Sequence, residues 1–498
     1  MNRRLLVLLL GGAAALIVGL VALADPFRSR SQPAGRTADW PAANGDLAST
    51  RAARGPSLEG GAARRLRVRW RFRLRGEVGF SGVYASTPVV SAGRVYLQDL
   101  NSNVYALDLA TGRLVWSHRY ARPDGGPNGV AVADGLILGN TDTTAFALDA
   151  RTGRERWHTR LTGSANPITI APLAARGLVY TSANGQAAGG RGTLFALDLQ
   201  TGAVRWRFDT IEKPFRFPQE SSGGGAWYPP SVDSGGRVYF GISNPYPWGG
   251  TRKRPNGGMY PGPVRYTDSL VVLDGRTGKL LWFDQVTPHD IRDYDFQLSP
   301  ILAGDAVIGA GKAGRVIAWS RNSHERLWET EVGLHRNDTG PLPGRPVSVC
   351  PGLLGGVETP MAYASSRVFV PVVDLCFDES AYGTSSLAFF SKDYSKGTGG
   401  LVALDTSTGR RLWARRFPSP NFGCATVAGD VVFTATYDGN VYGFSTSTGS
   451  TLFRARTRAG INSCPAVAGD TLLVGAGTDH PAFPAPVFEL IAYALPED

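Results

Sequence analysis

The chain has 498 residues, a formal net charge of +11, 63 glycines and 33 prolines. That Gly and Pro load argues for many tight turns between short strands and against a helical protein, while 43% hydrophobic residues suffice for a large core. The charge is scattered arginine with no long like-charge block and no aromatic-basic module, which excludes a nucleic-acid footprint and leaves solubility or contact with anionic surfaces.

Asn2-Arg3-Arg4 precede an uncharged apolar run from Leu5 to Ala24, and Ala22-Leu23-Ala24 has the form of a cleavage site. The run is also about 20 residues long, enough to span a bilayer as a helix. Residues 1–24 are therefore expected to be a signal peptide or a membrane anchor, the length of the run favouring the anchor, and either one exports the rest of the chain. Residues 25–38, rich in Pro, Arg and Ser, are expected to be a linker.

From residue 39 onward one pattern recurs: an apolar run, Asp-x-x-Thr-Gly, then Trp about four residues later. It ends at Trp116, Trp157, Trp206, Trp282 and Trp413, with degenerate copies ending at Trp328 and Phe453. The apolar run is a strand. Asp and Thr bond the turn backbone, Gly supplies positive φ, and the residues up to Trp form the return strand of a hairpin. A further strand pair precedes each copy, as at Thr87–Val90 and Gly93–Leu97, so each repeat is a four-stranded blade with a period of about 40 residues. The predicted fold is all-β, an eight-bladed β-propeller over residues 39–498. The Trp side chains are expected to pack between blades. The eighth blade, from Ser463 to Tyr493, lacks its last strand, and Arg67–Phe72 has the form of that strand, so the N-terminal strand is expected to close the ring. Two inserts, about 213–267 and 333–400, are expected on one face, where propeller inserts often build a site.

The four cysteines, Cys350, Cys376, Cys424 and Cys464, show no CxxC spacing, and an even count on an exported chain suggests two disulfides. Cys424 and Cys464 hold matching places in successive repeats, which permits a bridge that geometry must decide.

The chemistry concentrates in Gln285–Ser299, where His289, Asp290, Asp293 and Asp295 fall within seven residues before a new strand. In an extended segment Asp293 and Asp295 face the same side, and both stay ionised only beside a cation or strong donors. One reading is a general base with a metal ligand. The other is a polar loop whose acids cap turns and pair with Arg292 or another base. His289 fits a metal ligand or, more simply, a loop-fixing hydrogen bond.

The blade motif resembles that of pyrroloquinoline quinone (PQQ) repeat propellers, a group holding both quinoprotein alcohol dehydrogenases and noncatalytic assembly lipoproteins. Longer stretches resemble the dehydrogenases, in order from Asp39 to about Val474. They are the opening Asp39-Trp40-Pro41 with Gly45–Arg51, GISNPYPW at 241–248, TPHDIRDYD at 287–295, GKAGRVIAWSR at 311–321, VCPGLLGG with the later DLC, and AGINSCPAV. The resemblance implies Asn244 as a metal ligand through its side-chain oxygen, Asp293 as general base and ligand, and Asp295 as the extra carboxylate of the lanthanide-using branch. It further implies Lys312 bonding the quinone oxygens, Trp227 lying under the cofactor ring, Thr169 at the cofactor's edge, and a Cys350–Cys376 disulfide. The implied cofactors are PQQ with Ca²⁺ or a lanthanide.

Departures accompany it. Gln186 or another neutral residue stands where the family has a metal-binding Glu in the third blade. Ala85 replaces another Glu, Asn128 replaces an Arg, Arg292 replaces a Trp, and the vicinal cysteine pair is missing. Two functions are compatible with this pattern. One is an exported dehydrogenase oxidising an alcohol or sugar and, lacking a CxxCH haem motif, passing electrons to a separate acceptor. The other is a decayed propeller serving as a binding scaffold at the cell envelope.

Overall fold

The computed structural model describes residues 39–496 apart from 55–57, 59–60, 165, 186–188, 214–216, 218, 261 and 384–392. The chain divides into Met1–Ala34 and Gly35–Asp498, and only the second unit falls among the described residues. The expected signal or anchor, the whole of the expected linker and Gln186 lie outside them. Among the described residues no helix is long and apolar enough to cross a membrane.

Eight four-stranded antiparallel sheets form the blades of a propeller. In chain order, blades 1 to 7 occupy residues 89–118, 131–160, 173–209, 231–285, 301–331, 362–417 and 425–456. Blade 8 consists of Ala466–Ala468, Thr471–Ala476 and Glu489–Ala494, with Arg67–Arg73 paired antiparallel to Glu489–Ala494 as its fourth strand. Burial follows position. The third strand Thr144–Asp149 is buried through its middle, whereas the outer Glu155–Arg160 alternates half-buried and exposed residues, as a strand with one wet face must.

The repeat motif has a geometric cause. Asp108 Oδ1 accepts from the backbone and hydroxyl of Thr111, which shapes the turn. The Trp that closes every blade but blade 7, which ends in Phe453, then lands on the turn of the next. Trp116 Nε1 donates to Ala150 O at 3.1 Å, and its ring lies so close to Gly153 that a Cβ there would sit 2.5 Å from Cε3. Trp70, Trp157, Trp206, Trp328 and Trp413 repeat this bond with Leu109, Leu199, Gly275, Thr406 and Thr446. Glycine is thus required twice in the turn, for positive φ and for the indole. Blade 5, whose turn is degenerate, carries His324 at φ +65° instead. There Trp282 stacks on the imidazole at 4.5 Å and its indole N–H lacks a partner.

The segment 40–53 has a role beyond its resemblance to a family opening. Its backbone bonds the innermost strands of six blades in turn. Trp40 donates to Val90, Pro41 accepts from Val132, Leu47 from Val232, Ala48 from Leu302, Thr50 from Tyr363 and Arg51 from Val427. Arg51, fully buried, donates to Ala43 O, Asn44 Oδ1, Ala425 O, Thr426 Oγ1 and Pro465 O. Both disulfides are present, Cys350–Cys376 and Cys424–Cys464, the latter joining the segments that enter blades 7 and 8.

Candidate active site

In a four-stranded antiparallel blade the entry into strand one and the turn between strands two and three share one end. The Asp-x-x-Thr-Gly turn lies at the other. Asn244 follows strand two of blade 4, Asp293 and Asp295 lie in the entry to blade 5, and Lys312 occupies that blade's second turn, so all four reach the same end. The inserts also emerge there, at 242–268 in blade 4, 332–361 before blade 6 and 375–397 within it.

The four side chains meet. Lys312 Nζ lies 2.7 Å from Asp293 Oδ2 and 2.7 Å from Asp295 Oδ2. Asn244 Nδ2 donates to Asp293 Oδ1 at 2.8 Å, and the Asn244 backbone N–H donates to Asp295 Oδ1 at 2.8 Å. All four are buried. Burial pushes the Asp293 carboxyl well above its ordinary range despite Lys312, and Asp295 adds to the push. The Lys312 ammonium is held well above its usual value because Asp293, Asp295 and Glu358 together outweigh its desolvation.

The segment differs from a plain extended strand. Asp293 has φ +66°, a left-handed conformation costly for a non-glycine residue. The two carboxylates therefore converge through Lys312 and Asn244 rather than through strand alternation. Arg292 pairs with neither. It donates to the carbonyls of Asn337, Thr339 and Gly340 and so pins the insert before blade 6. Asp290 caps the loop, accepting from the backbones of Arg292 and Tyr294. His289 Nε2 faces Gly257 O at 3.4 Å, the loop-fixing position.

Thr169, buried in the entry to blade 3, faces Asn184 Nδ2 at 3.4 Å. Trp227 is half-buried in the entry to blade 4. Neither hydrogen-bonds to the four-residue cluster among the described residues. Three neighbours carry no mark in the sequence. Glu358 Oε2 accepts from Gln297 at 2.8 Å, its Oε1 has no partner, and burial raises its carboxyl to about 7 against the pull of Lys312. Tyr228 donates to Glu358 O at 3.0 Å. Asp268, at the end of the blade 4 insert, is fully buried, with both carboxylate oxygens unpartnered among the described residues. Acids before a strand are ordinary in sequence, so no signal singled them out.

A cavity of about 60 Å³ is lined by entry residues of every blade but blade 5, among them Ala85, Asn128, Ala171, Tyr228, Thr359 and Ser463, and hence lies on the ring axis, while none of the four cluster residues lines it. No charged side chain among the described residues lines it. Asn128 Oδ1 and Thr359 Oγ1 are buried there without partners among the described residues, so the wall offers polar groups to an occupant. Among the described residues no three acidic, His or Cys side chains form a ready-made metal cage. The carboxylate oxygens of Asp293 and Asp295 are nevertheless the chemistry that suits a hard cation such as Ca²⁺ or a lanthanide, while Asn244 turns its amide nitrogen to Asp293. Tyr228 in the cavity wall donates to Glu358 O, and Thr359 follows Glu358 in the chain. The cavity is small beside the roughly 300 Å³ from which most small-molecule sites start.

A PQQ_2 family profile, described as outer membrane protein assembly factor BamB, matches residues 62–188, 100–343 and 381–481. The chain belongs to the PQQ-repeat propeller family. It is divergent and shortened beside its dehydrogenase relatives. It is 29% identical over 489 residues to a quinohemoprotein alcohol dehydrogenase of Comamonas testosteroni, covering 82% of this chain and 68% of that one. It is 27% identical over 546 residues to a putative dehydrogenase XoxF of Paracoccus denitrificans, covering 88% and 85%. The crystal structure of the Comamonas testosteroni quinohemoprotein alcohol dehydrogenase superposes with a TM-score of 0.78 at 25% identity, covering 93% of this PQQ-repeat chain and 82% of that chain.

Proposed function

We propose that this PQQ-repeat propeller is a quinoprotein dehydrogenase that oxidises an alcohol or sugar, using PQQ with Ca²⁺ or a lanthanide. The observation that carries it is Lys312 held between Asp293 and Asp295, with Asn244 on both carboxylates. When bound, the quinone supplies the carbon that accepts hydride. Asn244, Asp293 and Asp295 would hold the cation through oxygen, Trp227 and Thr169 would contact the cofactor, and Lys312 would donate to its oxygens. Asp293 takes the hydroxyl proton of the substrate. Burial raises its affinity for a proton, the direction that strengthens a general base. Lys312, kept charged by its acidic neighbours, stabilises negative charge as it develops. A separate acceptor would take the electrons.

Two disulfides support an extracytoplasmic location, with residues 1–24 as signal or anchor, 25–38 as linker and 39–498 as propeller. The pairing of Arg67–Arg73 with Glu489–Ala494 supports closure of the ring by the N-terminal strand. The test of function is dye reduction by purified protein given PQQ with Ca²⁺ or La³⁺, across a panel of alcohols and sugars. Activity lost in Asp293→Asn is the expected result, and inactivity of the wild type throughout overturns the proposal.

One observation favours a second reading. The axial cavity is neutral and narrow, with Ala85 and Asn128 where the family resemblance implies a Glu and an Arg. A tricarboxylate gains little from such a wall, and a binding scaffold at the cell envelope needs none of it. Calorimetry decides: absence of PQQ binding with either cation selects the scaffold.

A further inference from the structure

We infer that Asp268 is a ligand of the cation at this site and supplies the anionic oxygen that the third blade lacks. The inference rests on the cation site of the proposed dehydrogenase and not on its substrate or its quinone.

Asp268 closes the base of the blade 4 insert. Its backbone N–H donates to Ser243 O at 3.0 Å, and its carbonyl accepts from Val286 N at 2.8 Å. Those bonds fix it between the residue preceding Asn244 and the start of the segment that carries Asp290, Asp293 and Asp295. Its φ is +50°, so the backbone is held in a left-handed conformation that a non-glycine residue adopts at a cost. The side chain is fully buried, and among the described residues neither carboxylate oxygen has a hydrogen-bond partner within 3.5 Å. The adjacent Thr267 hydroxyl is committed to Val264 O at 2.7 Å.

The other acids here are provided for. Asp290 accepts two backbone N–H groups, Asp293 and Asp295 each accept from Asn244 and face Lys312, and Glu358 accepts from Gln297. Asp268 is left with burial and with the charges of Asp290, Asp295 and Asp293 acting on it, which together push its carboxyl well above the ordinary range. A hard cation among these oxygens satisfies both Asp268 atoms and offsets the excess negative charge, for five buried acids here share one lysine.

The experiment is a titration of the full metal-free chain with Tb³⁺ alone, read by Trp-sensitised luminescence, by luminescence lifetime in H₂O and D₂O, and by thermal unfolding with and without the ion. Asp268→Asn keeps the shape and removes the charge. It is expected to weaken Tb³⁺ affinity about tenfold or more, to admit additional coordinated water, and to unfold no earlier than wild type when metal-free. Asp268→Ser, smaller at the same position, is expected to show the same loss and guards against a folding defect in the first variant. Wild-type affinity and hydration retained in both variants overturns the inference while leaving the cation site intact. No saturable binding by the wild type overturns the cation site itself.

Discussion

Lys312 Nζ donates to Asp293 Oδ2 at 2.7 Å with both side chains less than a tenth exposed. A buried pair of this kind contributes little net stability when whole, but losing one partner strands the other charge. Lys312→Met is therefore expected to cost about 3–5 kcal/mol in metal-free protein, with Asp295 stranded as well. Asp293→Asn in the Lys312→Met background should recover part of that loss. Urea denaturation of the four proteins in this cycle measures both effects.

Glu358 is a source of pH dependence outside the cluster of proposed ligands. Burial raises its carboxyl from 4.5 to about 7. An acid raised on folding contributes stability that is fully present below pH 4.5 and is lost as pH rises through 7. The shift corresponds to about 3 kcal/mol at most. Glu358→Gln is expected to remove that component, so its stability should fall less than the wild type's between about pH 5 and pH 8.5. Denaturation midpoints across that range check it, and parallel curves for the two proteins would count against it.

The latch between blades is testable at Gly153, where φ is +72° and a Cβ would meet Trp116 at 2.5 Å. Gly153→Ala incurs a left-handed backbone cost of about 1–2 kcal/mol and an overpacking cost of about 1–3 kcal/mol. Thermal unfolding should show a clear fall in Tm. By contrast His324→Gly, in the blade where the imidazole already replaces glycine, relieves a strained φ and loses a stack, so its change should be smaller.

Arg51 is expected to act as a bolt. Arg51→Met removes the donor to the buried carbonyls of Ala43 and Ala425, while Pro465 O keeps the Thr426 hydroxyl, and an unsatisfied buried group costs about 1–3 kcal/mol. The variant should lose more stability than Gly153→Ala. Limited proteolysis should also cut it earlier around residues 39–53, since that segment would be released from the innermost strands of blades 7 and 8.

The blades were legible because their determinants are local. An Asp, a Thr and a Gly within one turn set its shape whatever surrounds it, and the Trp beyond it falls on the next blade because the period repeats. The path of residues 40–53 was not legible, since six backbone bonds to six separate blades leave no periodic mark. The same holds for Arg292. Beside three aspartates it reads as their partner, yet it reaches 45 to 48 residues onward to carbonyls of an insert.

The residues unaided determined an all-β ring of eight repeats, the clustering of Asp293 and Asp295, and the even cysteine count that allowed two bridges. Tertiary structure alone decided that Lys312 rather than Arg292 neutralises those acids, that Asp293 is left-handed, and that Asp268 and Glu358 join the same buried region. The physical reason is range. Turn chemistry and strand alternation act over a few residues, whereas the charge balance of a buried site is set by whichever side chains the closed ring brings within a few ångströms.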